Sequence, residues 1–378
     1  MIQRDAGGPR VLITVPPGGA SGNPFIDLLT DAVGAAGARP VRFTWLRGIC
    51  GRYDVVHFHW PEHLFIASSV RKRLPKIVVG IVFLLRLAIS RVPVVLTQHN
   101  LATHESVPGY VRFFNSWVGR MVDLRVYLNE SPENDMSRGL VILHPVYPRR
   151  GNEVLTQVVG PVISTFGSLR PYKGLEGLLE AFALAKATDC VPPESSLIIA
   201  GQPSSPDYAT HISKLAEECP GVEFRPGYVD DADLEDLIEG SRAVILPYKS
   251  MYNSGAVILA LGLGARVLIP SSPSTESLKR EFPAAVSTYE GLPSSSDVAE
   301  VLAPRSEDSV DSSSFRRRRS LDAVGRLHAD LYVGLTRLPR RWTRDRRRRV
   351  ALDSVRRKQE FVSHSRLNAS MNAIERHS

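Results

Sequence analysis

Ten short apolar runs, continuous rather than alternating, limit what this chain can become more than any other feature of it. The first five are RVLITV (residues 10–15), YDVVHFH (53–59), VPVVLTQH (92–99), DLRVYL (123–128) and GLVILH (139–144). The second five are PVISTFG (161–167), SSLIIAG (195–201), VEFRPGYV (222–229), RAVILPY (242–248) and ARVLIP (265–270). Runs of this kind suit strands buried on both faces of a parallel sheet. Helical spacing lies between them. In GLEGLLEAFALA, Leu175, Leu178, Leu179 and Phe182 recur at i, i+3, i+4 and i+7. DADLEDLIEGS opens with an acidic first turn, as a helix N-terminus favours. Strand–helix alternation in two sets predicts an α/β chain of two doubly wound domains, and 378 residues is enough for both.

The boundary is expected in YPRRGNEVLTQVVG (147–160), which puts one domain at 1–150 and a second at 151–304. Beyond that the pattern fails, and 305–378 reads as an arginine-rich tail, partly disordered or helical. Of the 47 Lys/Arg and 39 Asp/Glu, 18 and 9 lie in 306–378, so the net charge of +8 is a property of this tail. Few aromatic residues accompany its arginines, so nucleic acid is not the expected partner. The three cysteines, Cys50, Cys190 and Cys219, form no disulfide framework and no metal pair, which suits a reducing cytoplasm. The longest apolar stretch, IVVGIVFLLRLAI (77–89), is too short to span a bilayer and is interrupted by Arg86. It follows RKRLPK (71–76). That pairing suits a helix lying on an anionic membrane surface, and equally a core helix with a solvated basic lead-in.

Two loops carry anion chemistry. In FGSLRPYKGLEGLLEAF (166–182) a strand ends at Gly167, the loop supplies Arg170 and Lys173, and a helix follows. Helix N-termini attract anions, and a guanidinium can bind two phosphate oxygens at once. In LPYKSMYNSGAVILALGLGARVLIP (246–270) a helix opens at Asn253, Ser254 and Gly255. There the glycine permits close backbone approach, and Ser254 and nearby amides can donate to phosphate. Both loops should sit at the carboxyl edge of one sheet, so the pair predicts a nucleotide-diphosphate pocket.

With LIIAGQP and VEFRPGYVDDADLEDLI between these loops, and DVVHFHWPE and VVLTQHNLATHE before them, residues 10–300 resemble the GT-B glycosyltransferases. The combination is similar to the bacterial glycolipid β-mannosyltransferases of exopolysaccharide synthesis. The resemblance implies two Rossmann-like domains facing a cleft and transfer of a sugar, mannose from GDP-mannose, with inversion onto a lipid-linked or glycolipid acceptor. Gly167, Arg170, Lys173, Ser254 and Gly255 would hold the donor diphosphate, with Tyr228, Val229 and Asn253 on the nucleobase and ribose side. The paired glutamates of the largest retaining family are replaced here by Tyr252 and Ala260, which weighs toward an inverting relative. The enzyme would work on the inner face of the cell membrane as a peripheral cytoplasmic protein.

An inverting transfer needs a base for the acceptor hydroxyl. VVHFHWPEH (55–63) and QHNLATHE (98–105) offer Glu62 first, then His59, His99 and Glu105. His57, Trp60 and His104 would line the cleft, together with Asn23 from the glycine-rich turn GGASGNPF (18–25). The histidines lack the Cys or Asp that would complete a zinc set, and no HExxH occurs. With Arg and Lys available for the diphosphate, no metal and no cofactor beyond the donor substrate is expected. The residues leave other readings open: a retaining GT-B enzyme using a UDP-sugar, a sugar-nucleotide epimerase, or a non-catalytic nucleotide-sugar- or nucleic-acid-binding protein.

Overall fold

The computed structural model describes residues 7–15, 24–100, 108–149, 160–303 and 311–355. The chain divides into two units. Unit 1 comprises Met1–Leu128, Asn134–Ile142 and Leu321–Ser378, and unit 2 comprises Asn129–Glu133 and Leu143–Ser320.

Unit 1 is built on six strands: β1 (Arg10–Thr14), β2 (Arg39–Arg42), β3 (Val55–His59), β4 (Val94–Gln98), β5 (Leu124–Tyr127) and β6 (Gly139–Val141). They are all parallel, in the order β2-β1-β3-β4-β5-β6. Helices α1 (Pro24–Ala35), α2 (Trp45–Cys50), α3 (Pro61–Phe65), α4 (Val70–Ser90) and α5 (Gly109–Met121) connect them. The two-residue period of a strand divides the core. Val11, Ile13, Val55 and Val95 pack beneath α1, while Leu12, Val56, Phe58 and Val94 meet Phe83 and Leu84 of α4 and Phe114 of α5.

Unit 2 repeats the scheme with β7 (Val162–Phe166), β8 (Ser196–Gly201), β9 (Val222–Pro226), β10 (Ala243–Ile245), β11 (Val267–Pro270) and β12 (Val286–Tyr289). Again all are parallel, in the order β12-β11-β10-β7-β8-β9. Its helices are α6 (Leu175–Ala187), α7 (Pro206–Glu217), α8 (Asp231–Glu239), α9 (Gly255–Gly262), α10 (Pro273–Glu281), α11 (Ser295–Leu302) and α12 (Ser313–Arg318). Local signals set their ends. Ser205, Asp230, Ser272 and Ser294 each accept a backbone N–H at a helix start, and Ser294 with Asp297 closes a capping box. The two α/β domains expected from the sequence are both present.

The tail is helical in its described part, but it is not a solvated appendage. Its described part is folded. Helix α13 (Leu321–Arg337) packs on α1 and inserts Val324, Leu331, Tyr332 and Leu335 into the core of unit 1. A further helical stretch over 344–355 adds Ala351, Leu352 and Val355. What looks like uniform basicity is a set of specific partners. The Asp123 carboxylate is fully buried and meets Arg347 at 2.7 Å and Arg344 at 2.9 Å, while also accepting the Val94 N–H at 2.9 Å. Arg347 also donates to the Arg91 carbonyl, and Arg348 to the carbonyls of Asp123 and Val122. Counting charge along the chain could not reveal this, because the carboxylate lies more than 200 residues upstream. The domain boundary also shifts. Unit 2 begins at Leu143, and it takes in the short segment Asn129–Glu133.

Removing Arg347 strips the buried Asp123 carboxylate of one charged partner, leaving Arg344 and the Val94 N–H. Arg347→Ala is therefore expected to lower unfolding free energy by about 1.5–3 kcal/mol. The urea midpoint should fall far more than for the exposed control Arg349→Ala.

Candidate functional site

In unit 2 the chain order of the strands reverses between β7 and β10, and ligands of doubly wound sheets bind outside the carboxyl ends at such a point. The two loops singled out in the sequence leave these two strands. They touch. A Cβ on Gly174 would lie 2.3 Å from the Pro247 carbonyl, and Gly174 itself is left-handed at φ 69°. The Lys173 ammonium sits 4.7 Å over the Tyr248 ring. Any side chain on Gly167 (φ 104°) would reach within 3.7 Å of that ammonium. Burial and the neighbouring Arg170 guanidinium pull the Lys173 pKa down to about 8. Arg170 is exposed and donates to the Ser168 hydroxyl at 3.3 Å.

The second loop is pinned through its carbonyls. Met251 O accepts from the hydroxyls of Ser272 (2.8 Å) and Ser274 (3.1 Å), and Tyr252 O from the Asn129 amide (2.7 Å). The Tyr289 hydroxyl reaches the carbonyls of Leu246 and Tyr248. At the start of α9, Ser254 occupies the N-cap without capping the helix, and its hydroxyl bonds Tyr248 instead. The first amides of α9 therefore have no side-chain cap, as an anion-binding helix start requires.

Two residues here escaped the sequence reading. A Cβ on Gly255 would lie 2.5 Å from the Tyr147 hydroxyl and 3.8 Å from His144 Nε2, so both rings crowd the start of α9. His144 is buried, donates from Nδ1 to the Pro145 carbonyl, and is held neutral with a pKa near 4. Burial pushes the Tyr147 phenol up to about 12. In the sequence His144 closes the apolar run GLVILH and Tyr147 opens the expected domain boundary, so neither stands out as a site residue.

The remaining expectations for unit 2 fall as follows. Tyr228 is 81% exposed and, with Val229, borders a groove of about 630 Å³ beside Arg225 and Asp233. Asn253 is half-buried one residue before Ser254. Ala260, where a retaining enzyme of the largest family would carry a glutamate, is fully buried among apolar neighbours.

In unit 1 the strand order reverses between β1 and β3, and HWPE (59–62) follows β3. Here the expectations need sorting. His57 does not line an open surface. It is fully buried, with Nδ1 2.6 Å from the Tyr332 hydroxyl and Nε2 2.7 Å from Thr97 Oγ1, and burial holds its pKa well below normal. It shares the face of β3 that α13 covers, so it is a polar element of the core. His59 is 1% exposed, and its pKa falls to about 3 through burial and the nearby His328. Its burial leaves an acceptor hydroxyl no open approach to the ring. Its Nδ1 lies 3.1 Å from His99 Nε2. His99 in turn stacks on Trp60 at 3.6 Å, and Phe25 meets it edge-on.

Trp60 adopts a left-handed conformation, φ 44° and ψ 64°, unusual for a bulky residue and of the kind that collects at functional sites. It turns the chain so that Glu62 emerges half-buried in the first turn of α3, where no side-chain cap forms. Glu105, His104 and Asn23 lie outside the described residues.

Gly255→Ala is expected to abolish nucleotide binding, because its methyl collides with the Tyr147 hydroxyl. The pair Gly255→Ala/Tyr147→Phe should recover part of it by removing the colliding oxygen. Calorimetric titration with GDP checks both.

No protein-family model matches the chain. A GDP-mannose:glycolipid 4-β-D-mannosyltransferase of Xanthomonas campestris pv. campestris is 33% identical over 295 residues, covering 77% of this chain and 82% of that protein. A second sequence of the same description and organism is 32% identical over the same coverage. Among solved structures, Anabaena Alr3699/HepE in complex with UDP-glucose aligns with a TM-score of 0.56 at 13% identity, over 92% of this chain and 99% of the other. AviGT4, a glycosyltransferase of avilamycin A biosynthesis, aligns with a TM-score of 0.51 at 14% identity, over 88% and 99%. These structures share the fold, and the sequence relatives fix the family. The chain is a GT-B-fold glycosyltransferase and belongs to the family of the GDP-mannose:glycolipid 4-β-D-mannosyltransferases.

Proposed function

We propose that this enzyme transfers mannose from GDP-mannose to a glycolipid with inversion, forming a β-mannoside, at the inner face of the cell membrane. The observation that carries the reading is the 33% identity over 295 residues to a relative described by that donor, acceptor and linkage. The geometry of unit 2 supports it. A half-buried ammonium, a guanidinium and an uncapped helix start converge where the strand order reverses. Together they would stabilise the negative charge that develops on a departing diphosphate. In this reading neither a metal nor a cofactor assists the departure.

Inversion requires one displacement at the anomeric carbon. The acceptor hydroxyl attacks it, its proton passes to a base, and the bond to the diphosphate oxygen breaks. On unit 1 we assign the base to Glu62. Its carboxylate is half-buried beside Trp60, whereas His59 is sealed in the core. The His59–His99 contact favours a second assignment, in which His59 orients His99 as base.

The surface of α4 supports a membrane-bound acceptor. Val70, Leu74, Val78, Val82, Leu85 and Ile89 recur at helical spacing and are between 42% and 82% exposed. Arg71, Lys72 and Arg73 stand beside them. An apolar stripe with a basic flank suits a helix lying in the interface of an anionic bilayer. Among the described residues, no helix is long and apolar enough to cross a membrane.

The test is transfer of radiolabelled mannose from GDP-mannose to a bacterial lipid extract, followed by digestion of the product. Release by β-mannosidase and not by α-mannosidase is expected, and the opposite result refutes inversion. Glu62→Gln should lower kcat by about 10²–10⁴-fold with GDP affinity unchanged. If Glu62→Gln remains fully active while His99→Asn does not, the base is His99.

A further inference from the structure

The amino-terminal edge of the unit 1 sheet, far from the HWPE end of β3, holds a cavity of about 1040 Å³. Five residues of strand, roughly 17 Å, separate the two edges. Six arginines line the cavity: Arg10, Arg39, Arg52, Arg86, Arg337 and Arg340. They come from the start of β1, the start of β2, the approach to β3, the last turns of α4, the end of α13 and the segment after it. Asp54 is the one carboxylate in the lining, and its Oδ2 already accepts the Arg10 backbone N–H at 2.9 Å.

Two of the guanidinium groups have structural work. Arg86 donates to the carbonyls of Gly48 and Gly51 and lies 4.7 Å over the Tyr53 ring, and Arg39 donates to the Gly8 carbonyl at 2.9 Å. No carboxylate among the described residues forms an ion pair with Arg10, Arg52, Arg337 or Arg340. Gathering like charges from distant parts of the chain into one concavity costs repulsion, and an anion that neutralises them recovers it. A concave wall also focuses the field and raises the local concentration of anions. Guanidinium forks match phosphate oxygens in pairs.

The cavity is larger than a bare phosphate needs, and Val92, Pro93, Val333 and Leu338 give it an apolar side. We propose that this cavity is a second ligand site, separate from the donor and acceptor groups, which binds a phosphate ester with an organic body. That chemistry has two sources, a soluble phosphate ester or the headgroup of an anionic phospholipid. The second has a route, because Arg86 and Ser90 of the lining share the last turns of α4 with exposed Leu85 and Ile89.

The experiment uses full-length protein carrying Arg170→Ala/Lys173→Ala, so that the donor loops no longer answer to phosphate. Two probes are added separately: glycerol 3-phosphate, read by thermal shift, and vesicles of equimolar phosphatidylglycerol and phosphatidylcholine, read by cosedimentation. The cavity variant is Arg52→Gln/Arg337→Gln/Arg340→Gln. Its exposed substitutions should leave the far-ultraviolet circular dichroism unchanged. An equal-charge control is Arg120→Gln/Lys214→Gln/Arg349→Gln, exposed residues outside every surface assigned to a ligand or membrane. Stabilisation by glycerol 3-phosphate that weakens about tenfold or more in the cavity variant alone supports the site with a soluble ester. Vesicle binding that falls at least that far in the cavity variant, and further than in the equal-charge control, supports it with a lipid headgroup. If the cavity variant matches the parent with both probes, or loses no more vesicle binding than the control, the arginines are only a solvated rim and the proposal fails.

Discussion

A parallel strand covered on both faces can place polar chemistry only at its ends, because any polar group along its length must find a partner inside the core. Both units obey this constraint. In unit 2 the polar groups within β7 are buried, with Ser164 partnered by Ser241, and the charged chemistry follows where the strands stop, in Gly167–Lys173 and Tyr248–Gly255. In unit 1 the constraint separates two histidines that look equivalent in sequence. His57 lies within the strand and is absorbed by Tyr332 and Thr97, whereas the chain beyond His59 turns out through Trp60 to present Glu62.

The two loops proposed to hold the donor are braced by their own contacts. Glycines at 167, 174 and 255 each allow an approach that a Cβ would crowd or prevent, and carbonyl bonds hold the second loop from three directions. Such rigidity matters because charge stabilisation in a transfer reaction is strongest where the donors need not reorganise. Lys173 is the most sensitive part. Burial disfavours its charge, and in the proposed reading a bound diphosphate would relieve that cost.

Much of this was legible in the sequence. Continuous apolar runs marked both sheets, and the loops singled out after β7 and β10 do meet at one sheet edge, because glycine and helix starts act locally. What stayed hidden depends on contacts distant in sequence. The fate of His57 turns on Tyr332, 275 residues away, and the role of Arg347 turns on Asp123. Tyr147 opens the stretch read as a domain boundary and His144 ends a run read as a strand, and only the folded chain brings them to Gly255. The arginine-rich segment misled for the same reason. Charge density predicts solvation, yet α13 carries an apolar face that completes the unit 1 core.

The central claim is that the donor diphosphate is held against Lys173. Calorimetric titration with GDP at pH 8, repeated in buffers of different ionisation enthalpy, tests it most directly by counting protons taken up on binding. With the free ammonium titrating near pH 8 and raised by the bound anion, about half a proton should be taken up at that pH. The uptake should vanish in Lys173→Met. Tight binding of GDP with no proton uptake, or with the same uptake in Lys173→Met, would contradict the account.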